Sequence, residues 1–153
     1  MDIRFDIYYR YDALVEILQG LAAEHPQLLR LESIGQTYEG RDIWLATVTN
    51  RATGEDRQKP ALWVDGNIHA TEIAGTTTTL RILHTLLSGY GADPAITRLL
   101  DGSVYYIVPR LNPDGAELAL ADRPRHIRSS TRPYPYDEEP VDGLTVEDVD
   151  GGG

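Results

Sequence analysis

The order of helix-like and strand-like segments constrains the fold of this chain more than any other feature. The segment 11–28 ("YDALVEILQGLAAEHPQL") spaces its apolar residues as an amphipathic helix does, with Asp12 as the predicted N-cap and Pro26 near its end. Two strand-like runs follow, 29–36 and 42–49, and the glycine-containing turn "TYEGRD" separates them. This arrangement predicts an antiparallel hairpin.

The second half of the pattern alternates strands with helices. The short apolar run "ALWVDG" (61–66) predicts a buried strand, and the residues 72–87 have helical spacing. A short helix is expected to begin at Asp93 and Pro94, and "SVYYIVPRL" (103–111) predicts a fourth strand. Strands that alternate with helices indicate an α/β fold with some parallel pairing, and the early hairpin makes the sheet mixed. We therefore expect a mixed β-sheet flanked by helices.

The character of the chain changes after "NPDG", which is a turn by composition. The residues 116–153 show no periodicity, and the sequence closes on three glycines without a final element. A loop this long within a compact domain is functional, disordered, or a sign that something is missing. We expect 1–115 to be the N-terminal half of a domain and 116–153 to be a long loop region of the same domain, truncated at its C-terminal end.

Composition excludes several functions. The 14 basic and 24 acidic side chains give a net charge of -10, which argues against nucleic-acid binding. With no cysteine in the chain, disulfides, thiolate metal sites and cysteine nucleophiles are excluded. No apolar run reaches the roughly 20 residues that a membrane span needs. The N-terminus lacks the pattern of a secretory signal, so a cytoplasmic location is expected, with secretion as the alternative.

The stretch "VDGNIHATEIAG" places His69 and Glu72 three residues apart between a predicted strand and a predicted helix. In open α/β sheets, binding sites gather at this kind of junction, outside the carboxyl ends of strands. Catalytic zinc takes nitrogen and oxygen ligands, three of them typically from protein. The pair is therefore a candidate metal site. As a bare pattern, His-x-x-Glu equally describes two surface residues that share a hydrogen bond.

Three stretches in this order, "TYEGRDIW", "GNIHATEIAG" and "PRLNPDG", resemble the zinc carboxypeptidases, the M14-type metallopeptidases. The resemblance extends from Tyr8 to about Arg132. It implies a zinc-carboxypeptidase-like fold, Zn²⁺ as cofactor, a peptide substrate and hydrolysis of C-terminal peptide bonds. By the same resemblance, His69 and Glu72 are two of three zinc ligands, and the third, a histidine, is expected beyond Gly153.

In this family an arginine near the zinc stabilises the oxyanion, and it lies in a stretch that "RPRHIRSSTR" resembles. Arg128 is the best match, and Arg125 is the alternative because the register is uncertain by about one residue. Without the resemblance, this stretch describes a solvated basic loop. Another histidine, His84, is expected to be an ordinary helix residue.

No residue of the chain matches the family's catalytic glutamate, the general base. We therefore expect the chain alone to hold zinc weakly, to be inactive, and to be prone to self-association. A deacylase of N-acyl amino acids on the same fold is a second interpretation of the sequence. A non-catalytic binding module is a third.

Overall fold

A computed structural model describes residues 3–132, and its elements follow the predicted order. The helices are α1 (Tyr11–Glu24), α2 (Ala74–Gly89), α3 (Pro94–Gly102) and α4 (Pro113–Ala119). The strands are β1 (Leu29–Gln36), β2 (Asp42–Val48), β3 (Ala61–Asp65) and β4 (Val104–Val108). Among residues 3–132, no helix combines the length and the apolar character that crossing a membrane requires.

The four strands form one sheet in the order β1-β2-β4-β3. β1 pairs antiparallel with β2, and β2 pairs antiparallel with β4, whereas β3 and β4 are parallel. The prediction of a mixed sheet flanked by helices is therefore confirmed. Because β2 runs opposite to β4, the turn between β1 and β2 lies at the same end of the sheet as the carboxyl ends of β3 and β4. The candidate site is at this end.

One hydrophobic core joins the helices to the sheet. Its most buried members come from α1, β2, α2, α3 and β4: Leu14, Leu18, Leu21, Ala46, Val48, Leu80, Leu83, Leu87, Leu100 and Ile107. Burying a side chain of the size of leucine contributes about 1.5–3 kcal/mol. This core fixes α2 against the sheet, and α2 carries the helical side of the candidate site.

The beginning of α2 approaches the backbone that follows β3 very closely. A Cβ atom at Gly66 would lie 2.5 Å from the Gly75 carbonyl oxygen, and one at Gly75 would lie 2.7 Å from the Asn67 nitrogen. The side chains of Thr76 and Thr79 are buried at this contact. The threonine run is a poor helix former, and close packing on the sheet explains why it is helical here.

Two predicted details are wrong. α1 begins at Tyr11, with Arg10 at its N-cap, so Asp12 lies in the first turn instead of capping the helix. The "NPDG" stretch begins α4, because the Asn112 side chain accepts a hydrogen bond from the Gly115 amide and Pro113 occupies the first turn. The predicted loop region at 116 therefore starts inside a helix. The residues 133–153, which complete that region, lie outside the described residues.

Candidate metal centre

The side chains of His69 and Glu72 meet in the loop between β3 and α2. His69 Nδ1 lies 2.9 Å from Glu72 Oε2. The imidazole is 32% exposed and the carboxylate 56%. An imidazole nitrogen and a carboxylate oxygen are ligands that zinc accepts, and at this distance both can bind one ion. The donor set therefore fits zinc, although residues 3–132 contain no group of three or more histidine and acidic side chains around one point.

Asn67 holds the backbone of this loop. Its φ of 56° is in the left-handed region, which asparagine tolerates better than most residues. Its side chain is 3% exposed and donates from Nδ2 to the carbonyl oxygens of His69 (2.7 Å) and Ala70 (3.2 Å). The His69 carbonyl also accepts from the Glu72 amide at 3.2 Å, which closes the turn between the paired residues. The geometry of the pair is thus set by its backbone.

A buried arginine completes the polar interior behind the loop. Thr76 Oγ1 donates to Asn67 Oδ1 at 3.1 Å and accepts from Arg110 Nε at 3.2 Å. Arg110 Nη2 donates to the Tyr9 carbonyl, and Nη1 lies 3.6 Å from Glu117 Oε1. Burial lowers the pKa of Arg110 to about 10, against the opposing effect of the Glu117 carboxylate. No pattern in the sequence predicted a role for Arg110 or Thr76.

Asp114 ties the hairpin turn to this end of the sheet. Its carboxylate is buried and accepts from the Thr37 hydroxyl at 2.7 Å, the Glu39 amide at 2.9 Å and Arg41 Nη1 at 2.7 Å. No role was predicted for Asp114 from the sequence. The signal was present, because the two stretches that it joins, "TYEGRD" and "NPDG", both belong to the resemblance.

The structure places the two candidate arginines differently. The Arg128 carbonyl accepts from the Ala70 amide at 3.0 Å, and the next carbonyl, that of Ser129, accepts from Asn112 Nδ2 at 2.6 Å. The backbone at Arg128 therefore lies against the loop that carries the His–Glu pair. Arg125 lies beside α4, where its amide donates to the Leu118 carbonyl at 3.4 Å. Both arginine side chains are exposed.

No other histidine joins the pair in a group of three metal-binding side chains among residues 3–132. His84 packs edge-on against Phe5, with ring centroids 5.5 Å apart, as expected of an ordinary helix residue. His25 follows the last turn of α1. His126 lines an open cavity of about 430 Å³ with Thr71 and Tyr8. The structure thus brings together His69 and Glu72 and places the backbone of Arg128 against their loop. It also places Arg125 and His126 in the cavity that Thr71 and Ile73 line.

The mixed sheet and the His-x-x-Glu pair at the carboxyl end of a parallel strand define an α/β protein with a candidate metal site. The zinc carboxypeptidase family model matches residues 14–139, and the chain belongs to that family.

Relatives and solved structures agree with this assignment. The chain is 33% identical over 114 residues to a zinc carboxypeptidase of Saccharothrix mutabilis subsp. capreolus, covering 74% of this chain and 26% of that protein. It is 35% identical over 112 residues to human carboxypeptidase D, covering 73% of this chain and 8% of that protein. Carboxypeptidase A from Helicoverpa armigera superimposes with a TM-score of 0.69 at 26% identity, covering 78% of this chain and 28% of that one. The chain thus spans at most about a quarter of the length of these two relatives.

Proposed function

We propose that this chain forms the first part of the catalytic domain of a zinc-dependent metallocarboxypeptidase, with His69 and Glu72 as two of its zinc ligands. The observation that carries the proposal is the 2.9 Å approach of these side chains, in a loop that follows a parallel strand. Zinc, when bound, polarises the substrate carbonyl and lowers the pKa of its bound water. Membership of the zinc carboxypeptidase family supports this cofactor.

The chain supplies residues for two roles, metal binding and substrate binding. His69 and Glu72 would hold the ion, and Arg128 would donate hydrogen bonds to the oxyanion that develops on a peptide substrate. The Ala70–Arg128 backbone hydrogen bond of 3.0 Å supports Arg128 over Arg125, because it keeps this segment beside the pair. No residue of the chain is assigned as general base. The chain alone is therefore inactive, and with two ligands it binds zinc weakly.

Equilibrium dialysis with zinc tests the ligand assignment on the chain itself. We expect weak binding that His69→Ala and Glu72→Gln abolish. His84→Ala is the matched control, because it removes an imidazole that packs on Phe5 away from the pair, and it should leave binding unchanged. Equal binding by the wild type and both ligand variants would contradict the assignment. One tightly bound zinc per chain would contradict weak two-ligand binding.

Activity is tested on the complete protein, with a short peptide and an N-acyl amino acid as alternative substrates. The carboxypeptidase proposal expects release of the C-terminal residue from the peptide and little hydrolysis of the N-acyl amino acid. The reverse preference would favour the deacylase interpretation. Loss of both activities in His69→Ala, with His84→Ala active, would connect the chemistry to the proposed site.

The isolated chain is also proposed to self-associate through β3. This strand is an outer strand of the sheet in residues 3–132, and it exposes 54% of Leu62 and 53% of Trp63. Exposed strand edges pair with other chains. Analytical ultracentrifugation should show concentration-dependent association that Trp63→Lys reduces. Tyr38→Lys, at a 63% exposed position in the hairpin turn, is the control that should leave association unchanged.

A further inference from the structure

We propose that Asn67, Thr76 and Arg110 form a positioning relay that sets the geometry of the His69–Glu72 pair from inside the protein. The inference rests on the proposed function, since it concerns the same pair. None of the three side chains forms a hydrogen bond with the imidazole or the carboxylate in the described structure. They act on the backbone that presents the two ligands.

The hydrogen bonds of the relay run in one direction, from Arg110 through Thr76 to Asn67. A guanidinium can only donate, and a backbone carbonyl can only accept. Arg110 Nε donates to the Thr76 hydroxyl at 3.2 Å, which leaves the hydroxyl hydrogen for Asn67 Oδ1 at 3.1 Å. The Asn67 amide is therefore oriented with its Nδ2 hydrogens toward the loop. Each group fixes the orientation of the next.

The relay ends at the backbone carbonyl of His69. Asn67 Nδ2 donates to the His69 carbonyl at 2.7 Å, and the same carbonyl accepts from the Glu72 amide at 3.2 Å. This carbonyl thus belongs to both the relay and the turn that places the two ligands three residues apart. Its loss from the relay would free the turn to adopt other shapes. The effect would reach both ligands at once.

All three side chains of the relay are buried, and burial restricts them to one hydrogen-bonded arrangement. Thr76 is 2% exposed, Asn67 3% and Arg110 4%. Water cannot readily replace a lost partner there, and an unsatisfied buried group is unfavourable. Arg110 is itself fixed, because Nη2 donates to the Tyr9 carbonyl at 2.7 Å and Nη1 faces the Glu117 carboxylate. The pair is thus connected to the segment before α1.

α2 offers a matched control for the relay. Thr79 is also buried, and its hydroxyl lies within hydrogen-bond distance of the carbonyls of Gly75 (2.9 Å), Thr76 (3.0 Å) and Pro109 (3.1 Å), but it makes no hydrogen bond to Asn67 among the described residues. Thr76→Val and Thr79→Val therefore each remove one buried hydroxyl from the same helix at nearly constant volume. Thr76→Ser retains the hydroxyl and should restore the wild-type behaviour.

The test measures amide hydrogen exchange at Ala70 and Glu72 in the metal-free chain, together with zinc binding by equilibrium dialysis. Partners that orient metal ligands typically change affinity by about 10–100-fold. We expect Thr76→Val to accelerate exchange at both amides and to weaken zinc binding by about tenfold. Thr79→Val should leave both at the wild-type values even if it lowers global stability. Equal effects of the two valine variants, or failure of Thr76→Ser to restore the wild type, would overturn the relay.

Asn67→Gly distinguishes the contribution of the Asn67 side-chain amide from that of its left-handed backbone conformation. Glycine adopts a φ of 56° readily, so this variant keeps the left-handed turn and removes three side-chain hydrogen bonds, those to the His69 and Ala70 carbonyls and the one from Thr76. The relay predicts faster exchange at Glu72, whereas wild-type exchange in Asn67→Gly would overturn it. The hydrogen-exchange result needs no metal. If the wild type and His69→Ala bind zinc equally, the proposed function fails, and exchange alone still decides the relay.

Discussion

The two ends of the sheet both carry dense polar networks, but they differ in burial. At the end that holds the His–Glu pair, the side chains of Asn67, Arg110 and Asp114 are at most 4% exposed. At the opposite end, Asn50 donates to the Tyr90 hydroxyl at 2.8 Å and to the Asp101 carboxylate at 2.7 Å. Those three side chains are all partly exposed.

The difference in burial determines how much each network contributes to stability and geometry. Partly exposed hydrogen bonds and ion pairs exchange with water and contribute little to stability or geometry. Buried ones leave an unsatisfied group when a partner is lost, so they hold one arrangement. The buried network of Asn67, Arg110 and Asp114 is therefore the better suited of the two to hold side chains at a defined distance. We therefore expect substitutions at the two ends to differ in both size and kind.

Gly66→Ala should have the largest effect on stability. The added Cβ would lie 2.5 Å from the Gly75 carbonyl oxygen, which is backbone and cannot move without shifting α2. We expect a loss of about 3 kcal/mol or more in the free energy of unfolding, at the upper end of the usual cost of overpacking, measured by urea denaturation. Gly102→Ala is the control, because its Cβ would meet nothing within 4 Å. Similar losses in the two variants would mean that the close contact does not limit the fold.

Asp114→Ala should have the next largest effect. It removes the acceptor of the Thr37 hydroxyl, the Glu39 amide and Arg41, and it leaves part of the hairpin turn unsatisfied. We expect about 2–4 kcal/mol of destabilisation in the same urea measurement. Glu39→Gln is the control. Its carboxylate also pairs with Arg41 but is 41% exposed, so the expected loss is under about 1 kcal/mol.

The opposite end of the sheet should respond to pH with a smaller change. Hydrogen bonds from Asn50 and Tyr90 lower the pKa of Asp101 below its usual 3.8. A carboxyl group with a lowered folded-state pKa contributes stability above its unfolded-state pKa and loses it as pH falls through the folded-state value. The contribution of Asp101 should therefore decrease progressively as the pH falls below about 4 toward the lowered folded-state pKa.

Urea midpoints at pH 6 and pH 3 measure this dependence. Asp101→Asn should flatten the decline between the two pH values, and Tyr90→Phe, which removes one donor, should flatten it partly. An equal decline in wild type and Asp101→Asn would show that other carboxyl groups carry the acid sensitivity. No change in zinc binding is expected from either variant, since this cluster lies at the end of the sheet away from His69.

The sequence predicted the elements whose signals are local, but not the buried contacts between residues far apart in the chain. Periodicity and turn residues were sufficient for the four strands and for α1 to α3, because these signals are local. His69 and Glu72 were predicted as zinc ligands because they lie three residues apart between a predicted strand and a predicted helix, in a stretch that resembles the family. Arg110 lies 34 residues from Thr76, to which it donates. Asp114 lies 77 residues from Thr37. Such partners meet only after the sheet has formed, and residue spacing alone predicts neither contact.

Arg128→Ala should have the smallest effect on stability. Its side chain is exposed, and the contact that holds the segment uses its backbone carbonyl, which alanine keeps. We expect a change within about 0.5 kcal/mol, the usual range for surface substitutions, and the same for Arg125→Ala.

Stability should be the same in Arg128→Ala and Arg125→Ala, but the kcat of the complete protein should differ between the two variants. If Arg128 stabilises the oxyanion, Arg128→Ala should lower kcat by about 10²–10³-fold, the typical cost of losing one such donor, while Arg125→Ala changes it little. The reverse result would move the role to Arg125 and shift the register of the segment. An unchanged kcat in both would show that this stretch is the solvated basic loop that its composition also describes. Since neither variant disturbs the buried network, any loss of activity reports on the substrate side of the site and not on the pair beneath it.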